Sequence, residues 1–231
     1  MRVAALYDVH GNAPALEAVL AEVGRERIDK ILYGGDILSG PMPHETLELV
    51  LSRDADFIRG NAERLDSPAP STDAEQDRLW LREELGDERV QWLINLPFSA
   101  VVDDVLYVHA TPQDDMTVIT ELTSDERIAE LLTGVEQHLV VGGHTHMQLD
   151  RAVGSTRFVN AGSVGRPYEG APGAYWAIVD AGGVDFRRTE YDLERAAELI
   201  RASAHPHAAE LADENVLTVP TREEALAVFG G

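Results

Sequence analysis

Val3-Ala4-Ala5-Leu6-Tyr7 runs into Asp8-Val9-His10-Gly11-Asn12, and this junction decides how the rest of the chain reads. Five apolar residues are too few for a buried helix and suit a core strand. A helix is expected next, with Asn12 or Ala13 near its cap and Pro14 just inside. Its apolar face would be Leu16, Val19, Leu20 and Val23. Lys30-Ile31-Leu32-Tyr33 repeats the strand and runs into Gly34-Gly35-Asp36. A helix from about Pro43 to Arg53 follows, and then Asp56-Phe57-Ile58-Arg59 leads into Gly60-Asn61. Strand, polar loop, helix, strand predicts right-handed βαβ units, a mainly parallel sheet and an α/β fold.

The polar, turn-rich stretch 66–87 contains a helix marked by Trp80, Leu81 and Leu85 and reads as an excursion over the sheet edge. It is suited to a lid or a dimer contact. Val101-Val102 and Val105-Leu106-Tyr107-Val108 flank Asp103-Asp104 as a hairpin whose second arm ends at His109. A helix from Asp125 to Leu132 precedes Leu139-Val140-Val141-Gly142-Gly143, which ends in His144-Thr145-His146. From Met147 to Tyr191 three or four antiparallel strands are expected, and from about residue 193 a helical extension broken near 204–207. No linker interrupts residues 1–231, so one domain is expected.

Composition narrows the function classes. The 231 residues carry 41 Asp+Glu against 19 Lys+Arg, a formal charge of −22, with a hydrophobic share of 44%. That share excludes wholesale disorder, and the charge argues against wrapping nucleic acid, which needs a basic surface. The absence of cysteine excludes disulfides, thiolate zinc sites and a cysteine nucleophile. No run approaches eighteen apolar residues, and no signal-peptide shape is present, so no membrane partner and a cytoplasmic location are expected. Lys30 is the only lysine. An acidic surface almost free of lysine fits adaptation to concentrated salt, and an Arg-favouring genome is the plain alternative.

Five segments end an apolar strand in polar residues able to bind metal: Asp8-x-His10, Asp36, Asn61, His109 and His144-x-His146. In open α/β sheets the carboxyl ends of strands form the ligand crevice. Two aspartates, one asparagine and four histidines gathered there make a thiolate-free site suited to Mn, Fe, Zn, Co or Ni. Seven protein ligands exceed what one ion takes, so two ions sharing a carboxylate is the economical reading, with Asp36 as the bridge. Glycines beside these residues (Gly11, Gly34, Gly35, Gly60, Gly142, Gly143) permit close backbone approach. Asn12 and Asn160 are expected to orient the histidine rings.

In this order the motifs Asp8-Val-His-Gly-Asn, Gly35-Asp36, Gly60-Asn61, Val-His109 and Gly143-His-Thr-His146 resemble the calcineurin-like metallophosphoesterase superfamily. The narrower likeness is to its small bacterial and archaeal phosphatase/phosphodiesterase branch. It spans residue 1 to about 192 and includes Val159-Asn160-Ala161-Gly162-Ser163-Val164-Gly165-Arg166-Pro167. The resemblance implies a four-layer αββα sandwich of two mixed sheets flanked by helices, with a dinuclear centre. Asp8, His10, Asp36 and His146 would hold one ion, and Asp36, Asn61, His109 and His144 the other. It also implies hydrolysis of phosphomonoesters or phosphodiesters of small molecules by a metal-activated water, in which Asp36, Asn61 and His109 would be catalytic.

Two positions depart from that pattern. Many relatives read Gly-Asn-His-Asp/Glu, whereas here the segment is Gly60-Asn61-Ala62-Glu63. Alanine gives a departing alkoxide no proton, a service typically worth 10²–10⁴-fold. A bias towards good leaving groups is therefore expected unless another residue, for which His44 is the candidate, takes the place. Ser39 stands near where Ser/Thr protein phosphatases carry an arginine, which counts against a protein phosphatase. Arg166 and Arg59 are the candidates for gripping substrate phosphate. The competing class is a non-catalytic scaffold on the same fold, favoured by Ala62 and opposed by retention of all seven ligand residues. The acidic tail from Glu190 reads as a solvated face, as cover for the sheet, or as the contact of a homo-oligomer.

Overall fold

The structure is a computed structural model, and it describes residues 1–67 and 71–229. Its strands are β1 (Val3–Leu6), β2 (Lys30–Tyr33), β3 (Ala55–Phe57), β4 (Ser99–Val102) and β5 (Val105–Val108). They continue with β6 (Leu139–Gly142), β7 (Leu149–Val153), β8 (Thr156–Asn160), β9 (Ala174–Asp180) and β10 (Gly183–Thr189). The helices are α1 (Ala13–Val23), α2 (Pro43–Leu51), α3 (Thr72–Ile94), α4 (Asp125–Leu131), α5 (Leu193–Arg201), α6 (Ala208–Ala212) and α7 (Arg222–Phe229). A single π turn (Asp213–Leu217) follows α6.

Two five-stranded sheets form, in the orders β10-β9-β1-β2-β3 and β4-β5-β6-β8-β7. The sequence pattern predicts one mainly parallel sheet. The structure instead has the two mixed sheets that the family resemblance implies, parallel across β1–β2–β3 and β5–β6–β8, with antiparallel strands β9 and β10 beside β1 in the first and antiparallel edges β4 and β7 in the second. The four strands after Met147 divide between the sheets, β7 and β8 joining one and β9 and β10 the other. β8 is antiparallel to β7 yet parallel to β6.

Strand β1 shows why the sandwich has four layers. Ala4 and Leu6 face the helices α1–α3 together with Leu16, Val19, Tyr33 and Trp176. Val3, Ala5 and Tyr7 face the second sheet together with Leu32, Tyr107, Val141 and Val159. A strand covered on both faces reads as a continuous apolar run, and each fully buried large side chain contributes roughly 1.5–3 kcal/mol. Across the gap, the Tyr7 hydroxyl donates to the Val141 carbonyl at 2.9 Å. On the far side α4 packs Ile128 and Leu131 against Val140 and Phe158 of the second sheet.

The excursion at 66–87 becomes most of α3, apart from Pro68, Ala69 and Pro70, which lie outside the described residues. Gly86 breaks this helix with φ 72° and ψ 166°, a conformation glycine takes cheaply. The C-terminal helices pack Ala196, Ala197, Ile200, Ala212 and Val216 against Ala13 and Met42. They therefore sit beside the loops that follow β1 and β2.

Candidate metal centre

Six non-glycine residues of the described chain have left-handed backbone angles, and five of them are expected ligands: Asp8, His10, Asp36, His144 and His146 (φ 46–69°). Such angles cost about 1–2 kcal/mol per residue and gather where a function over-determines the backbone. Here they let the chain turn at each strand end while the side chain aims into the crevice. The loops interlock through their main chains, Asp8 N–H donating to Gly35 O at 3.1 Å and His10 N–H to Asp36 O at 2.9 Å. The approach is close enough to demand glycine. A Cβ at Gly60 would stand 2.2 Å from Asp36 Oδ1, and one at Gly143 would stand 2.5 Å from Asp8 Oδ2.

The structure brings the expected aspartates and three of the histidines into two clusters sharing Asp8: Asp8 with His10 and His146, and Asp8 with Asp36 and His109. Asp8 Oδ2 accepts from the His144 amide at 2.9 Å. Asp8 Oδ1 is buried without any hydrogen bond, and the Nε2 atoms of His146, His10 and His109 lie 3.3, 3.8 and 3.9 Å from it. Asp36 divides its oxygens, with Oδ2 3.6 Å from His10 Nε2 and Oδ1 3.6 Å from His109 Nε2. Asn61 Oδ1 lies 3.0 Å from His109 Nε2. The His144 ring centroid is 5.2 Å from that of His109.

The rings are oriented by main-chain carbonyls. Nδ1 of His10, His109 and His146 meets the oxygens of Ser39, Gly34 and Arg166 at 3.1, 2.9 and 2.6 Å. In the neutral rings the proton then sits on Nδ1, and the Nε2 lone pair points inward. His144 is the reverse, its Nε2 meeting Met116 O at 3.0 Å, which frees Nδ1. Asn12 and Asn160, expected beside the rings, brace the loops instead. Asn12 caps α1 through Ala15 N and donates to Gly165 O. Asn160 donates to Gly143 O and Thr145 Oγ1 on either side of His144.

Electrostatics without a cation show the tension in this arrangement. Burial pushes Asp8 up, but His146, His109 and His10 together hold its carboxyl well below the usual range. Burial pushes Asp36 up to about 6 against the pull of His109. Burial also drives His10 well below its usual value and His144 down to about 4. For His109 burial acts downward too, yet Asp36 and Asp8 outweigh it and raise the ring. The residues fit a cationic group. An orphaned carboxylate oxygen is ringed by imidazole lone pairs, and the acceptors Asn61 Oδ1 and His109 Nε2 face each other.

Comparison with known proteins identifies the family. Residues 1–183 match the calcineurin-like phosphoesterase superfamily domain. The chain belongs to that superfamily. It is 25% identical over 227 residues to the uncharacterized protein MJ0912 of Methanocaldococcus jannaschii, covering 86% of this chain and 91% of that protein. The crystal structure of a metallophosphoesterase from Sphaerobacter thermophilus superposes with a TM-score of 0.77 at 27% identity, covering 92% of this chain and 97% of the other. The hypothetical protein PH1004 of Pyrococcus horikoshii shares the fold, with a TM-score of 0.80 at 23% identity over 91% and 97% of the two chains.

In this superfamily member a cavity of about 250 Å³ opens in front of the cluster, lined on that side by His10, Asp36, Asn61 and Ala62. Arg166 lines it, its Nε donating to Asn215 Oδ1 at 3.1 Å. Arg59 is not among the lining residues and faces Asp115 at 3.9 Å. His44 pairs with Glu84 of α3 at 3.2 Å, and it too is absent from the lining.

Two groups escaped the sequence reading. Glu63 is buried and accepts from the amides of Asp36, Ile37 and Gly60, each at 2.8 Å. Burial and the neighbouring Asp36 push it up to about 7 against those three donors. Its place three residues after Gly60 was the available signal. Asp77, Arg78 and His205 line the opposite wall of the cavity, and no local motif marks them.

Proposed function

We propose that residues 1–231 act as one unit, a phosphoesterase dependent on two divalent ions, hydrolysing phosphomonoesters or phosphodiesters of small molecules. The observation that carries this reading is the orphaned Asp8 Oδ1 within reach of three imidazole nitrogens. Asp8, His10, Asp36 and His146 would hold one ion. Asp36, Asn61, His109 and His144 would hold the other, with one Asp36 oxygen towards each half. Bound there, the ions would supply Lewis acidity and a nucleophilic water at neutral pH.

The chain's own residues do the rest. Ser39, Gly34 and Arg166 carbonyls fix the histidine tautomers, so the lone pairs arrive already oriented. Glu63 locks three amides around the Asp36 and Asn61 loops. Arg166, held by Asn215 beside the cluster, and Arg78, on the opposite wall, present guanidinium groups to a phosphate. The cations would outweigh the two ligand carboxylates, so an anionic substrate is attracted locally although the chain as a whole carries −22.

The test is phosphate release from aryl phosphoesters by chelator-stripped protein, before and after Mn²⁺ is restored. Mn²⁺-stimulated turnover is expected. Stoichiometric metal binding without turnover on any phosphoester would favour the scaffold reading that Ala62 suggests.

A further inference from the structure

The wall opposite the ligand cluster comes from two distant segments, α3 with Asp77 and Arg78 and the α5–α6 turn with His205. On the metal side, position 62 offers this cavity only a methyl group. The His205 side chain is 2% exposed, and its ring is held on two sides. Trp80 meets it edge-on with centroids 4.6 Å apart. The His207 amide donates to its Nδ1 at 3.1 Å.

A ring nitrogen that accepts from an amide carries a lone pair, so the neutral His205 ring bears its proton on Nε2. Asp77 Oδ1 stands 3.7 Å from that Nε2, beyond hydrogen-bond reach, and leaves the proton free. Burial keeps the ring neutral, with His207 acting in the same direction and Asp77 against it.

We propose that His205 donates a hydrogen bond from Nε2 to the leaving-group oxygen of the phosphoester, filling from the C-terminal extension the place Ala62 leaves bare. This role rests on the phosphoesterase reading above. Water forms the new P–O bond while the bond to the leaving oxygen breaks. One proton lost by the attacking water balances the one the leaving alkoxide takes, so water alone is consumed and His205 keeps its proton. A donor of this kind acts where charge develops, and its effect grows as the leaving group worsens.

Asp77, His205 and His207 also have the composition of a metal site. A metal on His205 Nε2 would require the proton on Nδ1, where the His207 N–H already points. Two hydrogens would then collide, so this arrangement selects the donor role over the ligand role.

The experiment compares the full chain with His205→Phe, which keeps the packing against Trp80, and His205→Gln, which keeps a donor near the Nε2 position. All three are loaded with Mn²⁺ and given a series of aryl and alkyl phosphoesters. His205→Phe should lower kcat about 100-fold on alkyl esters and less than about threefold on 4-nitrophenyl esters, with metal content unchanged. His205→Gln should recover most of the loss. In the metal-free chain, ¹⁵N NMR should find His205 in the Nε2–H tautomer. An equal loss across the series, no loss, the Nδ1–H tautomer or a lower metal content in His205→Phe would each overturn the proposal. If the unaltered chain shows no Mn²⁺-stimulated turnover, the phosphoesterase reading itself falls, and this role with it.

Discussion

His10 Nε2 and His146 Nε2 face each other across 3.1 Å, while the Nδ1 atoms of the same rings are committed to the carbonyls of Ser39 and Arg166. Two lone pairs at that separation repel unless a cation or a proton lies between them. The metal-free chain therefore carries an electrostatic load that an ion would relieve. Binding to the folded state at a hundred times Kd adds about 2.7 kcal/mol, which for a chain of this size raises Tm by roughly 5–10 °C. Thermal melts of chelated protein with and without Mn²⁺ measure this. An unchanged Tm would count against a metal at this cluster.

Glu63 gives a prediction independent of catalysis. Its two oxygens accept three amide donors in a fully buried site. Glu63→Gln keeps the shape but turns an NH₂ towards at least one amide N–H. An unsatisfied buried donor costs about 1–3 kcal/mol. Urea denaturation should show that loss, whereas the same change at exposed Glu88 should leave stability within about 0.5 kcal/mol.

Arg166 and Arg59 should separate in kinetics. Arg166 reaches the cavity and Arg59 lies against Asp115. A charge-assisted phosphate contact is worth roughly 1.5–3 kcal/mol, so Arg166→Gln should raise KM, and weaken inhibition by inorganic phosphate, about 10–100-fold. Arg59→Gln should change neither by more than about twofold. Equal effects from the two would contradict this division of roles.

The acidic surface yields a prediction about solvent. With 41 acidic against 19 basic side chains, self-repulsion opposes the compact state. The screening length shrinks from about 10 Å at 0.1 M salt to about 3 Å at 1 M. Tm should rise between 0.1 and 2 M KCl. A fall over that range would mean that ion pairs such as Lys30–Asp56, 2.8 Å apart, outweigh the repulsion.

Most of the proposed ligands were legible because β1, β5 and β6 are largely buried strands, so an apolar run stopping at Asp8 or His109 marks the place by itself, whereas Asn61 follows the half-buried edge strand β3. The ring partners were illegible. Main-chain carbonyls of Ser39, Gly34 and Arg166 have no residue-type signature, and the asparagines that suggested themselves hold backbone instead. The sheet arrangement was half legible, because the alternation in β8 reveals a strand but not that its second neighbour is β6. Asp77 and His205 lie 128 residues apart, and the packing of the C-terminal helices on Ala13 and Met42 helps bring His205 to the cavity that the proposed ligands line.

That packing divides the work of the cleft along the length of the chain. Every proposed metal ligand lies at or before His146, within the residues 1–183 that match the superfamily. His205, in the α5–α6 turn, and the Asn215 that steadies Arg166, in the π turn, lie beyond them. On the proposed function, substitutions at His205 or Asn215 would alter which esters are accepted without replacing any proposed metal ligand. The proposal thus assigns ester selectivity and metal affinity to separate stretches of one polypeptide.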